Sequence, residues 1–483
     1  MATTLLPAAS VAVFGAPMVT GAERKRHDLP TVQAAVAAGH PATVEAGVEI
    51  LSEGGSAADA AVAASLASCV AETVMTGLLG GGHALYFDAS SGRARNLDCF
   101  VAVPGLSLEP PRDAELVHYA VGPASCGVPG FPAGLGLLHR EHGRLPWVRL
   151  VEPALRLARD GVEFPPAHAA CLAMLAPVMT MDIGARIYSP GGRLLQAGER
   201  LLQPGLEPAL EALAEEGPRS VYDGTLADAL LALMEDRGGL VTRDDLRAYE
   251  AQWREPLEYA FAGTRVLTRA GLAPVGDTLV RLPTLRGLSP AGRAVVLART
   301  LVGPEREGDT TNLAIVDAEG NACVVTSSLG LGSGDFVPGL DLQLNSMLGE
   351  SDLIRGPLEP GERMASMMSP LVALDGNGPA LAAGAAGGTR LRGALVQVVA
   401  GILDEGLAPD EAVSRPRLHP VDGLVNVEPG LGEEVVQALE KLGVEVREWP
   451  ERHHYFGGVS VVTRSGAAGD PRRSGSASIL PPR

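Results

Sequence analysis

Lysine is nearly missing from this sequence: in 483 residues it occurs only as Lys25 and Lys441. Arginine carries the positive charge instead, and 39 basic residues face 57 acidic ones, a formal net charge of −18. The lysine shortage has no functional weight by itself. The acidic balance argues against a nucleic-acid partner, since phosphate binding needs clustered Lys and Arg. Cysteine is scarce too. Cys69, Cys99, Cys126, Cys171 and Cys323 are scattered, odd in number and without a CxxC pair. That argues against a disulfide framework and a thiolate zinc site, and leaves buried, reduced thiols. No apolar run long enough to cross a bilayer is free of Pro and Gly breaks, so no membrane helix is expected. Residues 5–22 are apolar, but they lack a basic start and contain Pro7 and Pro17. A secretory signal needs that positive start, so a cytoplasmic location is expected, with export left open.

Metal and nucleotide motifs are missing as well. His139 and His142 stand three apart on an expected helix, whereas a zincin helix needs the two His four apart beside a Glu; they read as a solvated helix face. The adjacent pair His453-His454 points in two directions. Gly80-Gly81-Gly82 leads into a strand, while a phosphate loop leads into a helix N-terminus. Gly330 to Gly334 lacks the helix of a dinucleotide fingerprint and reads as a mobile loop over the site. No cofactor and no metal are expected.

What is present is a folding chain. Apolar residues make up 46% of it, which excludes a disordered polymer. The length suits about two to four domains, or one large layered domain. Residues 42–53 form an amphipathic helix stopped by Gly54-Gly55. Ser56 and Asp59 then form a capping box for a helix from Ala57 to Val70, whose small apolar residues imply burial on most sides. Further helices are expected near 147–160, 206–216, 225–237, 243–249 and 390–404. Residues 83–88 read as a strand, and 311–317 with 322–328 as a hairpin. Residues 381–388 (LAAGAAGG) read as a tight loop, late strands fall near 424–428 and 457–463, and 464–483 close the surface. Mixed strands and helices in both halves favour a layered α/β or α+β architecture.

The motifs come in a telling order. HPATVEAGVEIL (40–51), EGGSAADAAVAASL (53–66) and TGLLGGGHALYFD (76–88) are followed by VPGFPAGLGLL (128–138), GRLPWVRLVEPALRLARDG (143–161) and GGLVTRDDLRAYEAQWREPL (238–257). Then come GDTTN (308–312), DAEGNACVVTSS (317–328), SMMSP (366–370), GAAGGTR (384–390) and DPRRSGSAS (470–478). In that sequence they resemble the gamma-glutamyltranspeptidase family over about residues 35–265 and 308–479. The resemblance implies an α+β fold, the four-layer αββα sandwich of the N-terminal-nucleophile hydrolases. It also implies a proenzyme that cuts itself between Asp309 and Thr310, giving a large subunit, 1–309, and a small one, 310–483, paired as a heterodimer around a small-molecule substrate. Thr310 would be the nucleophile. The chemistry is physically sound: a Thr hydroxyl is a weak nucleophile needing a nearby base, and a free α-amine, with a pKa of roughly 7.7–8.0, is partly neutral at pH 7 where a lysine is not. Ser328 matches a hydroxyl that hydrogen-bonds the nucleophile, and Gly387-Gly388 match an oxyanion loop whose backbone N–H groups meet developing charge.

The family's glutamyl pocket is not matched. Phe100 stands where the resemblance implies the arginine that grips the substrate α-carboxylate. Ser366 matches the first of two pocket serines, but Met367 replaces the second. In Leu344-Asn345-Ser346-Met347-Leu348-Gly349, Leu348-Gly349 replaces the acidic pair for the α-amino group, so Ser346 and Gly349 are candidate substrate contacts of altered character. Asn312 replaces a common His, and 270–308 is shorter than usual. The reading is an autoprocessing N-terminal-Thr hydrolase acting on an amide or acyl compound other than a standard γ-glutamyl one. The alternatives are a genuine γ-glutamyl enzyme with a rebuilt pocket, a C–C bond hydrolase of specialised metabolism, and an uncleaved non-catalytic homologue.

Overall fold

The computed structural model describes residues 34–106, 121–303 and 310–481. Asp309, on the expected cut, and the apolar stretch 5–22 lie outside them. After the short strand β1 (Ala35–Ala38), helix α1 (Pro41–Ser52) opens with Pro in its first turn and the His40 ring accepting the Ala42 N–H at 3.0 Å. Gly54, at φ 94°, turns the chain out of it. Helix α2 (Ala57–Ala71) starts on the expected box: Ser56 Oγ accepts the Asp59 N–H, and Asp59 accepts the Ser56 N–H. All fifteen residues of α2 are buried, which explains its small side chains.

Two antiparallel sheets follow from the strand pattern. The first contains β1, β2 (Gly81–Asp88), β3 (Arg93–Cys99), β4 (Gln252–Arg254), β7 (Thr311–Val316), β8 (Ala322–Ser328) and β13 (Ser476–Ile479), in the order β13-β1-β7-β8-β2-β3-β4. The second contains β5 (Leu257–Phe261), β6 (Thr264–Thr268), β9 (Leu371–Asp375), β10 (Gly378–Ala386), β11 (Gly458–Thr463) and β12 (Gly466–Ala468), in the order β12-β11-β10-β9-β6-β5. Alternation along each strand sets the layers. In β7, Ala314 and Val316 pack with Val372, Ala382 and Val462 of the second sheet. Leu313 and Ile315 face the opposite way, onto α2 and its neighbours. The outer face of the second sheet is covered by Val275–Arg281, Pro290–Leu301 and α3 (Arg390–Leu403). The result is the expected αββα sandwich.

The helices expected near 147–160, 206–216, 225–237 and 243–249 form as Trp147–Asp160, Leu206–Glu216, Thr225–Arg237 and Arg243–Ala248. All five cysteines are buried and none is in a disulfide among the described residues. Among the described residues no helix is long and apolar enough to cross a membrane. Four expectations need correction. Residues 381–386 belong to β10, an interior strand, and only Gly387-Gly388 turn. Residues 464–483 supply β12, β13 and the buried Arg472 and Arg473. His139 and His142 are half-buried where a solvated face is expected: one ring bonds the Leu145 carbonyl at 2.8 Å and the other stacks on Tyr86 at 4.0 Å. The 330–334 loop is mostly buried and tied down, Leu331 N donating to Ser346 Oγ at 3.0 Å.

Ser56 is fully buried and its hydroxyl also donates to the His142 carbonyl at 2.8 Å. Ser56→Ala should therefore destabilise the protein by about 1–2 kcal/mol, read as a lower urea midpoint with an unchanged slope.

Candidate active site

The site begins with the hairpin register. Ser327 pairs with Thr311 across β7 and β8, so the next position along both strands sets Ser328 beside Thr310. Ser328 also pairs with Gly81 of β2. The Gly80-Gly81-Gly82 run has a packing reason: a Cβ on Gly80 would lie 2.3 Å from the Ser328 carbonyl oxygen, and one on Gly81 2.7 Å from Val101 N. Thr310 is 6% exposed and Ser328 2%. Both line a narrow cleft of about 30 Å³ with Gly388, Phe100, Ser366 and Met367, completed by Met347, Glu350, Leu353, Met368 and Leu391. Ser328 Oγ accepts the Gly330 N–H at 2.8 Å, which anchors the following loop.

The glycine turn closes a second side. Gly387, at φ 123°, approaches Gly457 so closely that a Cβ would meet its Cα at 2.9 Å. Gly388, at φ 56°, leads directly into α3, where Arg390 N donates to the Gly387 carbonyl at 3.0 Å. The cleft thus meets the N-terminal end of a fourteen-residue helix, a position that favours negative charge. Gly457 is fixed in turn by a buried ionic cluster. Arg417 bonds the Gly457 carbonyl at 3.0 Å and Asp470 at 2.6 Å, and Arg472 pairs with Asp470 and Glu428.

Phe100 forms an apolar wall with charge behind it. Its ring stacks on buried His83 at 5.6 Å, and the His83 ring lies 3.8 Å from Asp98. Burial, with Arg269 and Arg363 nearby, holds His83 well below the usual imidazole range. Arg269 donates to the Ser366 and Met368 carbonyls at 3.2 and 3.0 Å, clamping the serine-methionine loop from outside the cleft.

Of the residues expected in the site, Thr310, Ser328, Gly388, Phe100, Ser366 and Met367 share one cleft. Gly387 adjoins it through the turn. Ser346 and Gly349 are not among its lining residues, where Met347 and Glu350 appear instead.

A model of the gamma-glutamyltranspeptidase family matches residues 43–290 and 295–480. The chain belongs to the gamma-glutamyltranspeptidase family. It is 28% identical over 489 residues to the acylase ACY 1 proenzyme of Pseudomonas sp. (strain SE83), covering 86% of this chain and 87% of that protein. It is 25% identical over 504 residues to the glutathione hydrolase proenzyme of Escherichia coli (strain K12), covering 87% of each. The cephalosporin acylase from Bacillus halodurans superposes with a TM-score of 0.79 at 23% identity, over 98% of this chain and all 100% of that one; that likeness is one of fold. This gamma-glutamyltranspeptidase family member is an N-terminal-nucleophile hydrolase by fold and an enzyme of amidohydrolase or acyltransferase type.

Glu72 escaped the sequence reading. It follows α2 and is completely buried, accepting the Thr43 hydroxyl at 2.7 Å and the hydroxyl of Thr311, the residue next to Thr310. With Thr310 and Arg473 it lines a second small cavity behind the cleft. Its signal in the sequence is a lone carboxylate directly after the uncharged, largely small-residue run 60–71, since burying such a group is costly. Burial pushes Glu72 up from 4.5 to about 7, against the hydroxyl bonds and Arg473. Folding therefore favours the neutral acid, and the unfolded chain releases its proton first as pH rises. Stability should decline between about pH 4.5 and about pH 7 relative to Glu72→Gln, measured by denaturant unfolding at several pH values. A pH-independent difference between the two proteins would contradict this.

Proposed function

We propose that this family member is an autoprocessing N-terminal-Thr hydrolase, acting on an amide or related acyl substrate without the ordinary γ-glutamyl head. The observation that carries the reading is the composition of one cleft. Thr310, Ser328 and Gly388 meet there against Phe100, Met347, Leu353, Met367 and Met368, and among the described residues no arginine lines it.

In this scheme the Thr310 hydroxyl attacks the Asp309 carbonyl, the peptide nitrogen leaves as the Thr310 amine, and water hydrolyses the resulting ester. The products are subunits 1–309 and 310–483. Base and nucleophile then share one residue. The amine takes the Thr310 hydroxyl proton as Oγ attacks the substrate carbonyl. The Gly387-Gly388 turn supplies backbone N–H groups to the oxyanion, and the amine returns the proton to the leaving nitrogen. Water repeats the attack on the acyl-enzyme and restores Thr310. Ser328, beside Thr310 in register, supports the nucleophile by hydrogen bonding.

The wall sets the substrate. Charge-assisted hydrogen bonds contribute about 1.5–3 kcal/mol each, so losing two or three weakens γ-glutamyl binding by about 3–9 kcal/mol, or about 10²–10⁶-fold. One observation favours a second reading, a γ-glutamyl enzyme with a rebuilt pocket: Glu350 lines the cleft and could receive an α-amino group. Its carboxylate already accepts the Leu331 N–H at 3.1 Å, and among the described residues no cation lines the cleft for the α-carboxylate.

Kinetics on paired anilides separate the readings. A neutral acyl anilide such as phenylacetyl p-nitroanilide should be turned over at least about 10²-fold better in kcat/KM than the γ-glutamyl anilide, and Thr310→Ala should abolish both activities. A preference for the γ-glutamyl anilide would support the second reading.

A further inference from the structure

Met367 is a shared wall. On one side lies the Thr310 cleft; on the other is a larger one of about 360 Å³, formed by Leu272, Leu301, Arg355, Thr389, Arg392 and His419 among others. Its size is that of a small-molecule site. Among the described residues its lining carries Arg355 and Arg392 and no Asp or Glu. Arg355 is exposed. Arg392 is held by donating to the Leu301 and Val302 carbonyls at 2.7 and 3.1 Å, bonds that orient the guanidinium without neutralising it.

His419 adds an independent observation. It is 6% exposed, and its Nε2 is buried without a hydrogen-bond partner among the described residues. Burial first, and then Arg390 and Arg392, pull it down to about 4, so the imidazole is neutral at pH 7 and adds no charge of its own to this wall. Leu272, Leu301 and Met367 make the rest of the surface apolar.

We propose that this second cleft binds the far end of the substrate, a carboxylate carried on an apolar body, with Arg355 and Arg392 as its counter-charges. The inference rests on the amide-hydrolase reading and deepens it. The acyl carbonyl sits at Thr310 beside an uncharged wall, while the anionic group lies beyond Met367. The substrate class is then an amphipathic amide with its negative charge remote from the scissile bond.

Calorimetric titration of the wild-type protein, as purified, tests this with benzoate, phenylacetate and hydrocinnamate, each compared with the alcohol of the same skeleton. At least one carboxylate should bind about tenfold or more tightly than its alcohol. Arg355→Glu, a change at an exposed position, should cancel that preference, and Arg392→Gln should reduce it. Equal affinities in all three pairs, or a preference unaltered by Arg355→Glu, would overturn the assignment. None of the probes is an amide, so binding is read independently of Thr310 chemistry. Retained carboxylate preference with no Thr310-dependent turnover would count against the hydrolase reading alone.

Discussion

Everything in this site depends on the burial and two-sided pairing of one strand. β7 is buried along its whole length, hydrogen-bonded to β8 throughout and to β1 from Leu313 to Val316. One face packs on the second sheet and the other on α2. Thr310 stands immediately before it. Its place is therefore set by strand register and core packing. A peptide bond broken there would leave the new terminus where the old backbone was. That is the physical condition a self-cut nucleophile requires, because a displacement of even an ångström is costly to catalysis.

Buried polar groups then lock the surroundings. Asn312 joins the two sheets by accepting the Ser460 N–H at 3.0 Å, while the Ser460 hydroxyl donates to the Asn312 carbonyl at 3.2 Å. The Arg417, Asp470, Arg472 and Glu428 cluster holds the turn against which Gly387 packs. Buried ion pairs are weak evidence for stability, since desolvation offsets their attraction. Their use here is geometric. They keep the Gly387-Gly388 turn, the start of α3 and the Thr310 strand at fixed separations while the cleft keeps an apolar wall.

Much of this was legible in the sequence, for identifiable reasons. The capping box at Ser56, the small residues of α2 and the hairpin around Asp317 to Asn321 are local signals, and local chemistry decided them. The motif order from HPATV to DPRRS placed the layers and drew Thr310, Ser328, Gly388, Phe100, Ser366 and Met367 together. β10 was misread because strands squeezed between sheets and helices can be built from alanine and glycine, which lack the β-branched and aromatic signature of strands. Glu72 and Glu350 are missed because they join Thr310 only in three dimensions, each lining a cavity with it. The cation-lined cleft beyond Met367 gathers residues from 272 to 419, a separation no local pattern could bridge.

The central claim is that Thr310 becomes a chain terminus and then does acyl chemistry with its own amine. Intact mass and N-terminal sequencing of the purified wild-type protein, beside Thr310→Ala, test it most directly. The account predicts two wild-type chains, the smaller beginning at Thr310, and a single uncut chain for the variant. A full-length, unclipped wild-type protein with full hydrolytic activity, or a variant still split at the same bond, would contradict it.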